Sequence, residues 1–221
     1  MATLAAKLSI VKALLISNLV SILLFGMRFS ATQSTAYWFL FWNLLLAWVP
    51  LIFVWMLRGQ LKRRSWKEPV PVIYTLLWLG FLPNSFYLMS DLIHLQSVEA
   101  SGVLFDAVLF LSFIWNGIVA GLLSIIWVHR AILKRRGRRV AAGIVSIILL
   151  LTSFAIYIGR NLRWNTWDVL VNPAGILFDV SETVINPFSH PQVLLTTLTF
   201  FMLIGSMYMV VWQFVQALDR K

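Results

Sequence analysis

Apolar residues in this chain come in long, nearly unbroken runs. They do not follow the period-two alternation of a half-buried strand or the narrow stripe of a surface helix. Six windows are long enough to cross bilayer hydrocarbon as a helix, which takes roughly 20 apolar residues. They are Leu8–Met27, Tyr37–Leu57, Val70–Met89, Val103–Trp127, Val140–Ile158 and Val193–Val215. Lys12 in the first and Asp106 in the fourth are the only Asp, Glu, Lys or Arg residues inside them. An open strand edge is not tolerated in lipid, so all six are expected to be helices. The pattern predicts an all-α, polytopic transmembrane helix bundle of six spans, one domain over residues 1–221 with no linker.

Composition agrees. The chain is 60% hydrophobic and only 12% charged, with a mean hydropathy of +0.85. Soluble domains carry about 25% charged residues, so a soluble globule is excluded. No cysteine is present, which removes disulfides, thiol nucleophiles and cysteine zinc sites.

A net charge of +10 raises the question of nucleic acid, but the distribution of cations points to a membrane. Lys7, Lys12, the Arg58–Lys67 loop, the Arg130–Arg139 loop and Arg220–Lys221 hold fifteen Lys and Arg on one side of a six-span bundle. Only Arg28, Arg160 and Arg163 fall on the other side. That asymmetry predicts cytoplasmic termini and cytoplasmic basic loops, with membrane lipids as partners and no nucleic acid. Residues 28–33 make a poor cleavage site, so the first run is read as a span and not a removed leader.

The opposite, outer side collects Asp91, Glu99, Asp106, Asp168, Asp179 and Glu182, with His94 and His190. On the third span Pro83 should kink the helix. Asn84, Tyr87, Asp91 and His94 follow on one face at 100° per residue. Asp91 and His94 could act as a base and its orienter, or hold a divalent metal; otherwise no cofactor is predicted. At the end of the fifth span stand Arg160, Arg163, Trp164, Asn165, Trp167 and Asp168. If that helix continues, Arg160, Arg163 and Trp167 share a face able to clamp an anionic group. Alternatively the arginines pair with Asp91, Asp106 or Asp168 to lock helices together. Asp106 also suits a helix N-terminus. Asn116, followed by Gly117 and Gly121, reads as a close interhelical contact, and His129 as an interfacial residue among arginines.

Between the fifth and sixth spans, Asn172-Pro173, Asn186-Pro187 and His190-Pro191 mark turns. Ile176, Leu177, Val180, Val184 and Ile185 form a helical apolar stripe with Asp179 and Glu182 off it, which predicts a short amphipathic helix on the outer surface.

Three segments resemble a family of bacterial integral membrane proteins known as domain of unknown function 1361. They are Trp42-Asn43 through Ala47-Trp48 and Pro50, then Leu82-Pro83-Asn84 through Tyr87, Asp91 and His94, then Gly159-Arg160 through Arg163 to Asp168. The likeness runs from about Trp38 to the end of the chain. It implies a small polytopic cytoplasmic-membrane protein and no particular activity.

The residues themselves leave three functions open. In the first, an outward site acts on an anionic lipid-linked or cell-envelope substrate. Asp91 and His94 would do chemistry there, Arg160 and Arg163 would hold a headgroup, and Tyr87, Asn84, Asn165, Asp168 and Asp106 would surround it. The second is a small transporter or channel with a polar route through Asn84 and Asn116. The third is a structural or accessory subunit that binds a membrane-protein partner. Gly-x-Ser-x-Gly, His-Glu-x-x-His and a phosphate-binding glycine loop are all missing from the sequence.

Overall fold

Residues 4–97, 102–186 and 191–219 are described in the computed structural model of the protein. Glu99, His190, Arg220 and Lys221 lie outside them. The order is α1 (Leu4–Thr32), α2 (Phe39–Gln60), α3 (Pro69–Tyr87), a 3-10 segment (Leu88–Ser97), α4 (Val103–Arg136), α5 (Arg138–Asn161), a one-turn α6 (Asp168–Val171), α7 (Pro173–Ile185) and α8 (Pro191–Asp219). Six of these helices are long and apolar enough to cross a membrane, matching the six expected windows. No strand occurs among the described residues. Large apolar side chains stand fully outward along the helices, Trp55 at 71% and Phe214 at 67% exposure among them. A water-soluble surface rarely tolerates such a belt. The chain is a multi-pass integral membrane protein.

Helix boundaries follow local chemistry. Pro69 opens α3 after an extended Glu68, where a missing N–H costs nothing. Gly137 alone separates α4 from α5 at φ 78°, a conformation that disfavours a side chain. The Asn172 side chain accepts a bond from the Gly175 amide and Pro173 follows it, starting α7.

α4 lies at the centre, buried along most of its length, while α1 and α8 are largely outward-facing. It packs against α1, α2, α3 and α5, and α8 rests chiefly on α5. Gly117 and Gly121 let α3 approach α4 closely. A Cβ at Gly117 would lie 2.5 Å from the Ser85 carbonyl oxygen, and one at Gly121 2.6 Å from the Phe86 ring. Several polar groups inside the bundle are paired across helices, as hydrocarbon favours. Asn116 on α4 donates to Ser21 at 2.9 Å and accepts from Asn18 at 3.3 Å, both on α1; Trp48 of α2 donates to the same Asn18.

The ends of the bundle differ. One carries Arg28, Asp91, Asp106, Arg160 and Asp168, and is called the acidic end below. The other carries Lys62, Arg63, Arg64, Lys134, Arg135 and Arg136, and is called the basic end. At the basic end Arg58 lies over Trp127 and Arg135 over Trp66, with the cations 4.9 and 5.3 Å from the ring centres. His129 is 5% exposed and stacked on Trp212, because α8 folds across that face of α4.

Gly117→Ala should lower stability by roughly 1–3 kcal/mol, as overpacking against backbone does. Gly143→Ala, with nothing within 4 Å of its Cβ, should leave stability unchanged or raise it. Thermal unfolding of the two purified variants in detergent makes the comparison.

Candidate functional site

A cavity of about 640 Å³ opens at the acidic end, bounded by α2, α3 and α5 and by the chain after α5. Its deeper wall is hydrocarbon: Leu46, Leu76, Leu79, Leu151, Ala155 and Ile158. Toward the end of the bundle the lining turns polar, with Asn43, Asn84, Tyr87, Asp91, His94 and Arg160, then Asn165 and Thr166.

Four of the polar residues come from the third span, but not on one continuous α-helix. The chain passes Pro83 within α3 and tightens into 3-10 geometry at Leu88. Side chains three apart eclipse in a 3-10 helix. Leu88, Asp91 and His94 therefore stack in one line, and the expected 100° spacing holds only as far as Tyr87. Leu88 and Asp91 are buried at 0% and 1% exposure, and His94 follows them toward the end of the bundle with its ring centre 4.9 Å from Phe39.

Asp91 is the most constrained of these groups. One carboxylate oxygen accepts from Arg160 Nη2 at 2.9 Å and the other from Asn43 Nδ2 at 2.8 Å, which ties together the segment after α3, α5 and α2. The Arg160 guanidinium lies 5.1 Å from the centre of the Tyr87 ring. The Tyr87 hydroxyl donates to the Gly159 carbonyl at 3.4 Å, and a Cβ on Gly159 would come within 3.0 Å of that ring. Arg160 Nε is buried without a partner. Asn84 donates across the cavity to Thr166 Oγ1 at 3.0 Å.

The chain after α5 forms the roof. The helix stops at Asn161 and does not continue to Asp168. Arg163 takes a left-handed conformation with φ 60°, and the Trp164 amide turns back to the Ile158 carbonyl. Arg163 thus faces outward and does not join Arg160, correcting the shared face expected of a continuing helix. Trp164 and Trp167 fold over the opening, and Trp167 meets Trp42 with ring centres 6.3 Å apart. Asp168 accepts from the Asn165 backbone amide at 2.6 Å, so it shapes the roof turn and does not line the cavity.

α7 is fastened to this roof. Trp164 Nε1 donates to Asp179 at 2.7 Å, and a Cβ on Gly175 would come within 2.9 Å of the same indole. Ile176 reaches the cavity. The expected apolar stripe is therefore split. Ile176, Asp179 and Thr183 turn inward, while Leu177, Phe178 and Ile185 stand 66%, 69% and 74% exposed. The indole N–H needs an acceptor, and that need brings Asp179 inside.

A family described as a protein of unknown function (DUF1361) matches residues 42–210, well over half of the protein. The chain belongs to this family. No curated protein and no solved structure matches it. Every residue of the cavity lining except Phe39 lies inside the DUF1361 match, whereas α1 precedes it.

Asp106 stands apart from the DUF1361 cavity. It takes a two-pronged contact from Arg28, at 2.8 and 3.2 Å, and a bond from the Tyr37 hydroxyl at 2.8 Å. Arg28 lies 4.0 Å from the centre of the Tyr37 ring. This buried cluster locks α1 to α4, so the counter-charge for Asp106 is Arg28 and not Arg160 or Arg163. Asn84 and Asn116 also occupy separate places. Asn116 is enclosed between α1 and α4 and is not among the residues that line the cavity. Among the described residues no three acids or histidines gather where a metal ion could sit.

Asn43 and Thr166 are not among the candidate site residues that the sequence offers, and Trp164 and Trp167 stand there as part of the clamp and not as a roof. Asn43 had a signal, an amide within hydrocarbon that requires a partner. Thr166 had none, because its position depends on the reversal at Arg163.

Removing either partner of the Asp91–Arg160 pair should cost roughly 3 kcal/mol or more, since the other charge is left unpaired in a low-dielectric setting. Asp91→Ala combined with Arg160→Ala should lose clearly less than the sum of the single losses. A double-mutant cycle read by thermal unfolding measures that coupling, and strict additivity would mean the contact contributes nothing.

Proposed function

We propose that this protein spans a bacterial cytoplasmic membrane with its basic end in the cytoplasm, and that its cavity receives an anionic lipid-linked or cell-envelope substrate from the outer leaflet. The excess of Lys and Arg at the basic end supports the orientation. The observation that carries the functional reading is the two-part lining. The Arg160 guanidinium, with one hydrogen bond to Asp91 and its Nε unpartnered, shares the cavity lining with a wall of leucine and isoleucine. A phosphate or carboxylate headgroup fits the upper part and its hydrocarbon chain the lower.

In this reading Asp91 positions Arg160 and is not a free base, because both of its oxygens are already engaged. His94, on the same lining, is the residue of this site assigned to proton transfer. Asn84, Asn165 and Tyr87 orient the headgroup. The roof of Trp164 and Trp167, with α7 attached, faces the membrane surface, and the outward Leu177, Phe178 and Ile185 rest in the lipid boundary.

Reporter fusions should place Lys62 and Arg136 inside and Asp168 outside; Arg136 found outside would overturn the orientation. A polyprenyl phosphate added to the detergent-solubilised protein should raise its unfolding temperature, whereas the matching polyprenol should not. Arg160→Lys keeps the charge but loses the planar fork, and should weaken that binding roughly five- to twentyfold. Equal stabilisation by the phosphate and the alcohol would refute the headgroup assignment.

A further inference from the structure

A second cavity, of about 790 Å³, opens at the basic end between α4, α5 and α8. It shares no residue with the first. Leu149, Phe201 and Met202 form its deep apolar wall, Arg138 stands at its mouth, and His129 and Arg130 lie between the two.

The central group is His129. Its Nδ1 is hydrogen-bonded to the Tyr208 hydroxyl, and its ring stacks on Trp212 at 4.1 Å between centres. Nε2 is buried and has no partner. The Tyr208 hydroxyl proton has no other acceptor among the described residues, so Tyr208 donates to Nδ1 and the ring hydrogen belongs on Nε2. The result is a fixed N–H donor, out of water, beside an open cavity. A buried donor left without an acceptor is costly, so the site calls for an oxygen.

The charges at the mouth narrow the choice. Arg130 is committed to Asp219. Arg138 has no carboxylate partner among the described residues, which leaves one uncompensated cation on the lining. Arg138 opens α5, and His129 lies seven residues before the end of α4. That places the imidazole roughly 10 Å deeper along the helix axes. An acceptor oxygen set below an anionic group, above hydrocarbon, is the layout of a glycerophospholipid: ester carbonyl, phosphate and acyl chains.

We propose that this cavity is a binding site for an anionic diacyl phospholipid of the leaflet at the basic end, with the phosphate against Arg138 and an ester carbonyl accepting from His129 Nε2. A zwitterionic lipid shares the ester but adds a cation next to Arg138, so the site prefers a net negative headgroup. The inference does not depend on the outer cavity having any substrate.

The test uses the full chain, delipidated in detergent and titrated with dioleoyl phosphatidylglycerol or dioleoyl phosphatidylcholine, with unfolding temperature as readout. The wild type should prefer phosphatidylglycerol on the order of fivefold, the size of one partly exposed charge contact. Arg138→Gln should abolish that preference. Arg139→Gln makes the same charge change off the cavity lining and should retain it. His129→Phe keeps an aromatic ring against Trp212 but removes the donor, and should weaken both lipids alike. Arg138 is exposed, so its variant is expected to fold and gives a decision even where His129→Phe does not. Equal binding of the two lipids by the wild type, or a preference that survives Arg138→Gln or is lost equally in Arg139→Gln, would overturn the assignment.

Discussion

The Asp91 carboxylate holds the acidic end together. A charge this deeply buried cannot stand alone in hydrocarbon, and its two acceptors are met from two different helices, by Arg160 of α5 and Asn43 of α2. That requirement fixes where the 3-10 segment runs and where α5 must end. It also brings Tyr87 beneath the guanidinium and leaves the space enclosed by these three elements as a cavity. The Arg28–Asp106–Tyr37 cluster does the corresponding task between α1 and α4, and none of its residues lines the acidic-end cavity. The two clusters use the same chemistry in different places.

Lipid supplies little hydrophobic drive for helix association, so close packing and paired polar groups must hold the bundle together. Gly117 and Gly121 provide the packing at α3. Asn18, Ser21, Trp48 and Asn116 provide a hydrogen-bonded seam through α1, α2 and α4. α8 meets α4 through His129 with Tyr208 and Trp212 and through Arg130 with Asp219, and it is beside these contacts that the basic-end cavity forms.

The bundle itself was plain in the sequence, because a run of apolar residues long enough to span hydrocarbon permits only one backbone arrangement. The short helix α7 was equally legible from Asn172-Pro173 and its spacing. Asp91, His94, Arg160, Tyr87, Asn84 and Asn165 were named from the sequence, and all line one cavity. Arg163 and Asp106 were grouped with them because depth in the membrane can be read from sequence but direction around the helix axis cannot, once the helix ends. A single left-handed residue at Arg163 moved everything after it. The inward turn of Asp179 was hidden for a related reason: hydropathy places an acid on the wet face, and only the structure reveals an indole N–H waiting for it.

The segment from Leu88 to Ser97 keeps 3-10 geometry over ten residues, far longer than the three or four at which such helices usually stop. At a rise of 2.0 Å per residue instead of 1.5 Å, it extends about 5 Å further than an α-helix of the same residues would. The stretch thus acts as a spacer as well as a ligand-bearing wall. Its narrow winding sets Asp91 and His94 in file, and its extra reach carries His94 toward the membrane surface while Asp91 stays anchored below. The vertical separation between Asp91, which organises this end of the bundle, and His94 is therefore set by the pitch of the backbone, not by the choice of side chains.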